Sequence, residues 1–175
     1  MGAVALVGFM GAGKTTVGRE LAVRLGWRFH DLDDLIEQRE RRRIADIFQL
    51  DGEAGFRRIE LSLLRELVES VTRASQVWAL GGGAFVEPDI KKCLDQASIP
   101  TVFLDAPVEQ LFARSEQEDL VRPLRQNRYQ FCALYEKRRP EYAKAAVCVQ
   151  TAGKEIGVIA EEIISTLKLK IGVAD

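Results

Sequence analysis

The chain has 175 residues, 47% of them hydrophobic and 29% charged, which is typical of one globular domain and argues against a disordered chain. Its 25 Lys and Arg against 26 Asp and Glu give a net charge of −1, which argues against a nucleic-acid or anionic-membrane partner. The three cysteines lack C-x-x-C spacing, which favours free thiols in a reducing cytoplasm and no zinc site. No apolar run approaches the roughly 18 residues of a membrane span, which also favours a cytoplasmic protein.

The first element is an apolar stretch, Ala3–Val7, followed by a phosphate-binding loop. Residues 8–15 read Gly-Phe-Met-Gly-Ala-Gly-Lys-Thr and match G-x-x-x-x-G-K-[ST]. The helical spacing of Val17, Leu21 and Leu25 then predicts that a helix N-terminus points at the phosphates. The predicted nucleotide-binding residues are Gly11, Ala12, Gly13, Lys14, Thr15 and Thr16. Within this set, we expect Lys14 to reach the β- and γ-phosphates of ATP and the Thr15 hydroxyl to ligate Mg²⁺.

Two carboxylates, Asp31 and Asp33, follow the next apolar segment. We expect a second strand to end near them, with both side chains pointing the same way along it toward the phosphate site. One would serve the metal ion through water, and the other would contact the group that accepts the phosphoryl. Asp33 could also cap the helix that follows.

The remaining elements alternate between helix and strand. Helical patterns are predicted at residues 44–48, 53–73, 88–94, 125–139 and 156–169, and strands at residues 76–80, 101–105 and 145–149. The charged stretch at about 114–128 predicts a mobile flap, and Pro140 is expected to end the helix before it. The pattern predicts a three-layer α/β/α fold in which helices cover both faces of a five-stranded parallel sheet, as one domain over residues 1–175.

Several motifs, in this order, resemble the shikimate kinase family of P-loop, nucleoside monophosphate kinase-like enzymes. They are the loop at residues 8–18, Asp-Leu-Asp at 31–33, Ile-Ala-Asp-Ile-Phe at 44–48, residues 52–60, Gly-Gly-Gly at 81–83, Val-Arg-Pro-Leu at 121–124 and Lys-Arg-Arg-Pro-Glu-Tyr at 137–142. The resemblance covers residues 3–167 and implies an ATP- and Mg²⁺-dependent kinase that phosphorylates the 3-hydroxyl of shikimate, in the biosynthesis of chorismate and the aromatic amino acids.

The resemblance also implies roles for individual residues. Those implied to bind shikimate are Asp33, Arg57, Gly81, Gly82, Gly83, Arg138, Phe48 and Phe56. Asp31 matches an acid near the metal, Arg114 a residue near adenine, and Arg122 the arginine of a lid at about 114–128. The implied catalytic residues are Lys14, Asp33 and Arg122, the shikimate-binding region spans about 31–60, and the expected protein is a monomer. Chemistry agrees, since two guanidinium forks suit a carboxylate and Asp33 can orient the 3-hydroxyl or act as its general base.

Three features depart from the family pattern. Residues 41–43 are Arg-Arg-Arg where Gly-x-Ser is frequent, Arg125 stands where leucine is common, and the loop at 150–154 has no proline. The first departure puts the helical turn before Ile44 in question.

Alternative functions remain open at this stage. One is a related kinase of gluconate or of a nucleoside monophosphate, although two arginines and a glycine triplet favour a compact carboxylate. A P-loop switch or nucleic-acid-associated ATPase would be a binding module instead, but N-K-x-D and D-x-x-G are missing from the sequence. A regulatory relative without turnover is disfavoured because Lys14, Thr15, Asp33 and Arg122 are all present.

Overall fold

A five-stranded parallel sheet forms the centre of the molecule, as predicted. The computed structural model of the chain describes residues 2–117 and 127–170. The strands are β1 Ala3–Val7, β2 Arg28–Asp31, β3 Gln76–Ala79, β4 Thr101–Asp105 and β5 Val147–Gln150. Their order in the sheet is β2-β3-β1-β4-β5, and Ala5 of the central strand is in register with Trp78 on one side and Thr101 on the other. Every residue of β1, β3 and β4 is buried, which explains their continuous apolar runs.

Seven helices in the described part of the chain pack on the faces of the sheet. They are α1 Lys14–Leu25, α2 Leu32–Glu40, α3 Ile44–Ser70, α4 Pro88–Gln96, α5 Val108–Gln117, α6 Arg128–Tyr142 and α7 Ile156–Leu167. None of these helices is long and apolar enough to cross a membrane. The loop after β1 opens at the carboxyl edge of the parallel sheet, where open α/β folds bind their ligands. Because β1 is the central strand, this loop lies at the middle of that edge.

The turn between α2 and α3 forms despite the three arginines in it. Arg41 takes the left-handed conformation (φ 52°) that a glycine would adopt at lower cost, and so ends α2. The N-cap residue Arg43 provides no side-chain cap, but Glu37 of α2 accepts a 2.9 Å hydrogen bond from the backbone N–H of Ile44. A glutamate of the preceding helix therefore takes the place of the usual Ser cap.

The two patterns at 44–48 and 53–73 correspond to two helical segments of α3, which meet at a kink where Gly52 has non-helical backbone (φ 69°, ψ 178°). The second segment ends at Ser70, a few residues before the predicted bound. The expected end of a helix at Pro140 is wrong, because α6 continues through this proline to Tyr142. The predicted flap is also partly helical, since α5 extends through residues 114–117. Residues 118–126, including Arg125, lie outside the described residues.

Candidate active site

The phosphate-binding loop lies between β1 and the N-terminus of α1. Gly13 is the N-cap of α1 with a positive φ of 83°. At Gly11 (φ 76°) a Cβ would lie 2.5 Å from the carbonyl oxygen of Leu111, so only glycine fits against α5. Lys14 Nζ donates to the carbonyl oxygens of Gly8 and Phe9 at 3.0 Å each. The loop thus holds a cation over the helix N-terminus, where phosphate oxygens would bind.

Asp31 connects this loop to the start of α2. Its Oδ2 accepts a 2.7 Å hydrogen bond from the Thr15 hydroxyl, and its Oδ1 accepts one of 3.1 Å from the backbone N–H of Asp33. Asp31 is therefore the N-cap of α2, and the expected cap at Asp33 is wrong. Asp33 lies in the first turn of α2, so the prediction that both carboxylates point the same way along one strand is wrong. Both nevertheless line one pocket.

That pocket is formed by the loop, the two aspartates and the end of β3. Its lining residues are Gly11, Gly13, Lys14, Thr15, Thr16, Asp31, Asp33 and Leu80. It therefore places a lysine and a helix N-terminus opposite two carboxylates, as a transfer between a phosphate and a hydroxyl requires.

The donor set of the pocket fits Mg²⁺ bound together with phosphates. Among residues 2–117 and 127–170, no group of three or more His, Cys, Asp or Glu side chains could hold a metal ion by itself. Mg²⁺ does not need such a group, since it keeps several waters and takes one or two protein ligands beside phosphate oxygens. Because the Thr15 hydroxyl is the donor in its hydrogen bond to Asp31, the lone pairs of its oxygen remain available to a cation.

The glycine triplet at residues 81–83 is the point where three predicted acceptor-site residues meet. A Cβ on Gly81 would lie 2.7 Å from Oδ1 of Asp33, and one on Gly83 would lie 2.3 Å from Nη2 of Arg57 and 3.3 Å from Nη2 of Arg138. Side chains at these positions would displace the charged groups, so the glycines keep the site open. Together, the side chains present one carboxylate and two guanidinium groups beside the phosphate-binding loop.

Arg57 is held by a buried glutamate. Its Nη1 donates a 2.6 Å hydrogen bond to Oε2 of Glu60, a residue with no exposed surface. Glu53 and Glu87 lie 3.4 and 3.5 Å from the same guanidinium. Burial, helped by a smaller contribution from the negative charge of nearby Asp33, raises the pKa of Glu60 to about 7 against the opposing effect of Arg57. Glu60 Oε1 and Arg57 Nε make no hydrogen bond to the described residues.

Two aromatic rings lie on the helix that carries Arg57. Phe48 and Phe56 stack with their ring centroids 4.6 Å apart and an interplanar angle of 29°. The Arg57 guanidinium lies 5.2 Å from the centroid of the Phe56 ring. An apolar surface therefore flanks the arginine, as the predicted wall of the acceptor pocket would.

The two predicted arginines on the nucleotide side are less closely connected to the pocket. Arg114 is an exposed residue of α5, one turn after Leu111, and it does not line the pocket. Arg122 lies outside the described residues.

Tyr142 is a site residue that the sequence reading missed. Its hydroxyl donates to the carbonyl oxygen of Gly82, which also accepts a 3.4 Å hydrogen bond from Nη1 of Arg138. Arg138 and Tyr142 stand four apart on α6 and so share a face. That spacing was visible in the sequence, but the helix was expected to end between them, at Pro140.

Comparison with known proteins gives a consistent result. The family model described as shikimate kinase matches residues 10–168. A shikimate kinase from Persephonella marina is 37% identical over 164 residues, covering 93% of this chain and 97% of the relative. One from Thermus thermophilus is 41% identical over 167 residues, covering 94% and 89%. The structure of shikimate kinase from Acinetobacter baumannii in complex with shikimate superposes with a TM-score of 0.87 at 34% identity, covering 96% of this chain and 93% of that one.

Proposed function

The chain belongs to the shikimate kinase family, and we propose that the pocket and the glycine triplet described above are its donor and acceptor sites. The reaction is the transfer of the γ-phosphoryl group of ATP to the 3-hydroxyl of shikimate, with Mg²⁺, in the biosynthesis of chorismate and the aromatic amino acids. The bond from the γ-phosphorus to the β,γ-bridging oxygen breaks, and a bond to the shikimate oxygen forms. The products are ADP and shikimate 3-phosphate.

On the donor side, the backbone N–H groups of the loop bind the phosphates. The residues proposed for this role are Gly11, Ala12, Gly13, Lys14, Thr15 and Thr16, all of which except Ala12 line the pocket. Lys14 already lies over the loop through Gly8 and Phe9, so it reaches the β- and γ-phosphates by exchanging carbonyl partners for phosphate oxygens. As the bond to the leaving oxygen lengthens, the ammonium group stabilises the charge that develops there.

Thr15 and Asp31 are the residues that would hold Mg²⁺, the threonine by its hydroxyl oxygen and the aspartate through water. The ion supplies charge neutralisation of the phosphate oxygens when it is bound. Asp31 also orients the Thr15 hydroxyl and fixes the first turn of α2 through the N–H of Asp33. One carboxylate thereby sets the relative position of the phosphate loop and the acceptor aspartate.

On the acceptor side, Arg57 and Arg138 bind the shikimate carboxylate, and Asp33 accepts the proton of the 3-hydroxyl. Guanidinium groups are suited to this because their donors form a planar fork that matches a carboxylate. Gly81, Gly82 and Gly83 allow the ring to approach the backbone, and Phe48 and Phe56 form an apolar wall. Asp33 is a catalytic residue because proton removal makes the attacking oxygen a better nucleophile.

The remaining assignments belong to the nucleotide side and to the molecule as a whole. Arg122 delivers positive charge to the transferring phosphoryl from a lid at about 114–128, and Arg114 lies near the adenine. Residues 1–175 form one kinase domain, whose shikimate-binding region is about 31–60. The protein acts as a cytoplasmic monomer on small molecules, without a nucleic-acid or membrane partner.

One observation carries this proposal: Asp33, Arg57 and Arg138 meet at the glycine triplet, next to the phosphate-binding loop. A kinase for gluconate or a nucleoside monophosphate is not favoured, since the shikimate kinase model matches residues 10–168.

A coupled ADP-release assay with shikimate, gluconate and a panel of nucleoside monophosphates tests the proposal. We expect turnover that depends on shikimate and on Mg²⁺, and a single product phosphorylated on the 3-hydroxyl. Turnover with another acceptor and none with shikimate would refute it.

A further inference from the structure

Helix α6 makes two different sets of polar contacts on two of its faces. Arg138 and Tyr142 bind the carbonyl oxygen of Gly82 in the acceptor site. Tyr135 and Arg139, also four residues apart, face the carboxyl ends of β4 and β5 and bind Asp105. Successive helical residues are separated by about 100°, so the rotation of α6 that satisfies Asp105 also decides where Arg138 points.

Asp105 is the centre of the second set of contacts. The residue is 3% exposed and accepts hydrogen bonds from three other side chains. Arg139 binds it as a fork, Nη2 to Oδ2 at 2.7 Å and Nε to Oδ1 at 3.4 Å. Tyr135 donates to Oδ1 at 3.1 Å, and Gln150 of β5 donates to Oδ2 at 2.9 Å. One buried carboxylate therefore joins α6 to both strands.

The charge of Asp105 is stabilised by these donors. Burial acts to raise the pKa of this carboxyl, but the hydrogen bonds from Arg139, Gln150 and Tyr135 outweigh it and hold the pKa below its usual value. Exposed ion pairs contribute little as a rule, and the Arg139 side chain is 50% exposed. This pair differs because its acceptor, Asp105, is buried and also accepts hydrogen bonds from Tyr135 and Gln150.

Tyr135 extends the network to the phosphate-binding loop. Its ring meets that of Phe9 edge to face at 5.5 Å, while its hydroxyl binds both Asp105 and, at 3.2 Å, the carbonyl oxygen of Ala106. Phe9 packs in the same way on Phe131 at 4.9 Å. The Asp105 face of α6 is thus fixed to the donor side of the active site.

The last turn of α6 depends on such contacts because Pro140 lies within it. Proline has no N–H, so the carbonyl of Glu136 loses its normal partner four residues later, and the helix is weakened just after Arg139. Arg138 and Arg139 lie just before this weak point and Tyr142 just after it, and contacts outside the helix hold both sides: Arg139 binds Asp105, and Arg138 and Tyr142 bind Gly82.

We propose that Asp105, acting through Arg139 and Tyr135, is a positioning residue for the acceptor site that sets where the Arg138 guanidinium lies against Gly82. The inference depends on the proposed function in one respect, namely that Arg138 binds the shikimate carboxylate. It predicts that loosening the Asp105 network impairs shikimate binding while the chemical step and ATP binding change little.

The first test compares Arg139→Gln with Lys137→Gln. Both remove one positive charge from an exposed residue of α6, but Lys137 is not part of the Asp105 network. We expect Arg139→Gln to raise the KM for shikimate about 5- to 20-fold, with kcat and the KM for ATP within about twofold of the parent, as for the loss of a charge-assisted hydrogen bond. Lys137→Gln should leave all three constants unchanged. Equal effects of the two variants would overturn the proposal.

A double-mutant cycle separates positioning from a general loss of stability. If Arg139 acts through Arg138, adding Arg139→Gln to Arg138→Ala should raise the shikimate KM no further. Multiplying effects would overturn the proposal. Asp105→Asn should show the same selective rise in the shikimate KM. Tyr135→Phe should show it in a milder form, and it remains a test if the Asp105→Asn variant does not fold. If the parent protein shows no shikimate-dependent turnover, the proposed function fails; an active parent with unchanged Arg139→Gln and Tyr135→Phe refutes the positioning role alone.

Discussion

At the scale of single residues, Asp33 has the most direct role in the proposed chemistry. It lines the phosphate pocket and lies against Gly81, so it is the carboxylate that both substrates can approach. Asp34, its neighbour, occurs in the same helical turn but is exposed. Comparing variants of the two aspartates therefore distinguishes a general base from a negative charge that merely lies at the start of α2.

We expect Asp33→Asn to lower kcat by roughly 10²–10⁴-fold, the usual contribution of a general base, while the shikimate KM changes much less. Steady-state kinetics on both substrates measures the split. Asp34→Asn is the matched control and should retain kcat within about threefold. A kcat for Asp33→Asn close to that of the parent would remove it from proton transfer.

Glu60 makes a separate prediction about pH. Its pKa of about 7 in the folded protein is above the usual value of 4.5, so between these values the folded state holds a proton that the unfolded state has lost. Stability from this group is complete below about pH 4.5 and declines as the pH rises through 7. The free energy of unfolding, measured by urea denaturation from pH 5 to 8, should fall less steeply in Glu60→Gln than in the parent.

Glu66→Gln serves as the control for that experiment, since Glu66 forms an exposed ion pair with Arg39. Its pH profile should follow that of the parent. Parallel profiles for the parent and Glu60→Gln would mean that Glu60 is ionised in the folded protein across this range.

At the scale of the elements, the turn between α2 and α3 shows how local strain and tertiary contacts are balanced. Arg41 adopts the left-handed conformation, which costs a non-glycine residue about 1–2 kcal/mol. The turn persists because Glu37 caps α3 and Arg42 pairs with Asp51 at 2.8 Å. These contacts hold in place the start of the helix that carries Phe48 and Arg57.

Arg41→Gly should therefore stabilise the protein, by about 0.5–1 kcal/mol after the greater entropy of glycine in the unfolded chain is subtracted. For a chain of this size this corresponds to a rise in Tm of roughly 1–4 °C, measurable by calorimetry. Arg43→Gly is the control, because Arg43 has a φ of −68° and gains no relief from glycine. A lower Tm for Arg41→Gly would show that the arginine side chain outweighs the backbone strain.

At the scale of the whole molecule, the sheet was predictable because buried parallel strands are continuous apolar runs. Ala3–Val7 and Thr101–Asp105 were predicted with the bounds that the structure has. The ends of elements were harder, since the switch from β2 to α2 at Asp31 depends on a hydrogen bond to the N–H of Asp33 that no periodicity reveals. Pro140 was misread because its local preference is overridden by the contacts of α6 on both faces.

The acceptor site was predictable only through the order of several motifs. Residues 33, 57, 81–83 and 138 come together across four segments of the chain, and composition or spacing alone does not bring them together. Tyr142 and the network around Asp105 escaped notice because their roles depend on the rotation of a helix. Such information exists only once the fold has formed.

The central claim is that Arg57 and Arg138 recognise the carboxylate of shikimate. Its most direct test measures kcat/KM for shikimate and for its uncharged methyl ester with the parent, Arg57→Ala and Arg138→Ala, using Arg58→Ala as the control on α3. We expect the parent to prefer the acid by at least about 100-fold and each site variant to reduce this preference by about 10- to 100-fold, equivalent to roughly 1.5–3 kcal/mol. Arg58→Ala should keep the preference of the parent. An undiminished preference for the acid in both Arg57→Ala and Arg138→Ala would show that these arginines do not recognise the carboxylate.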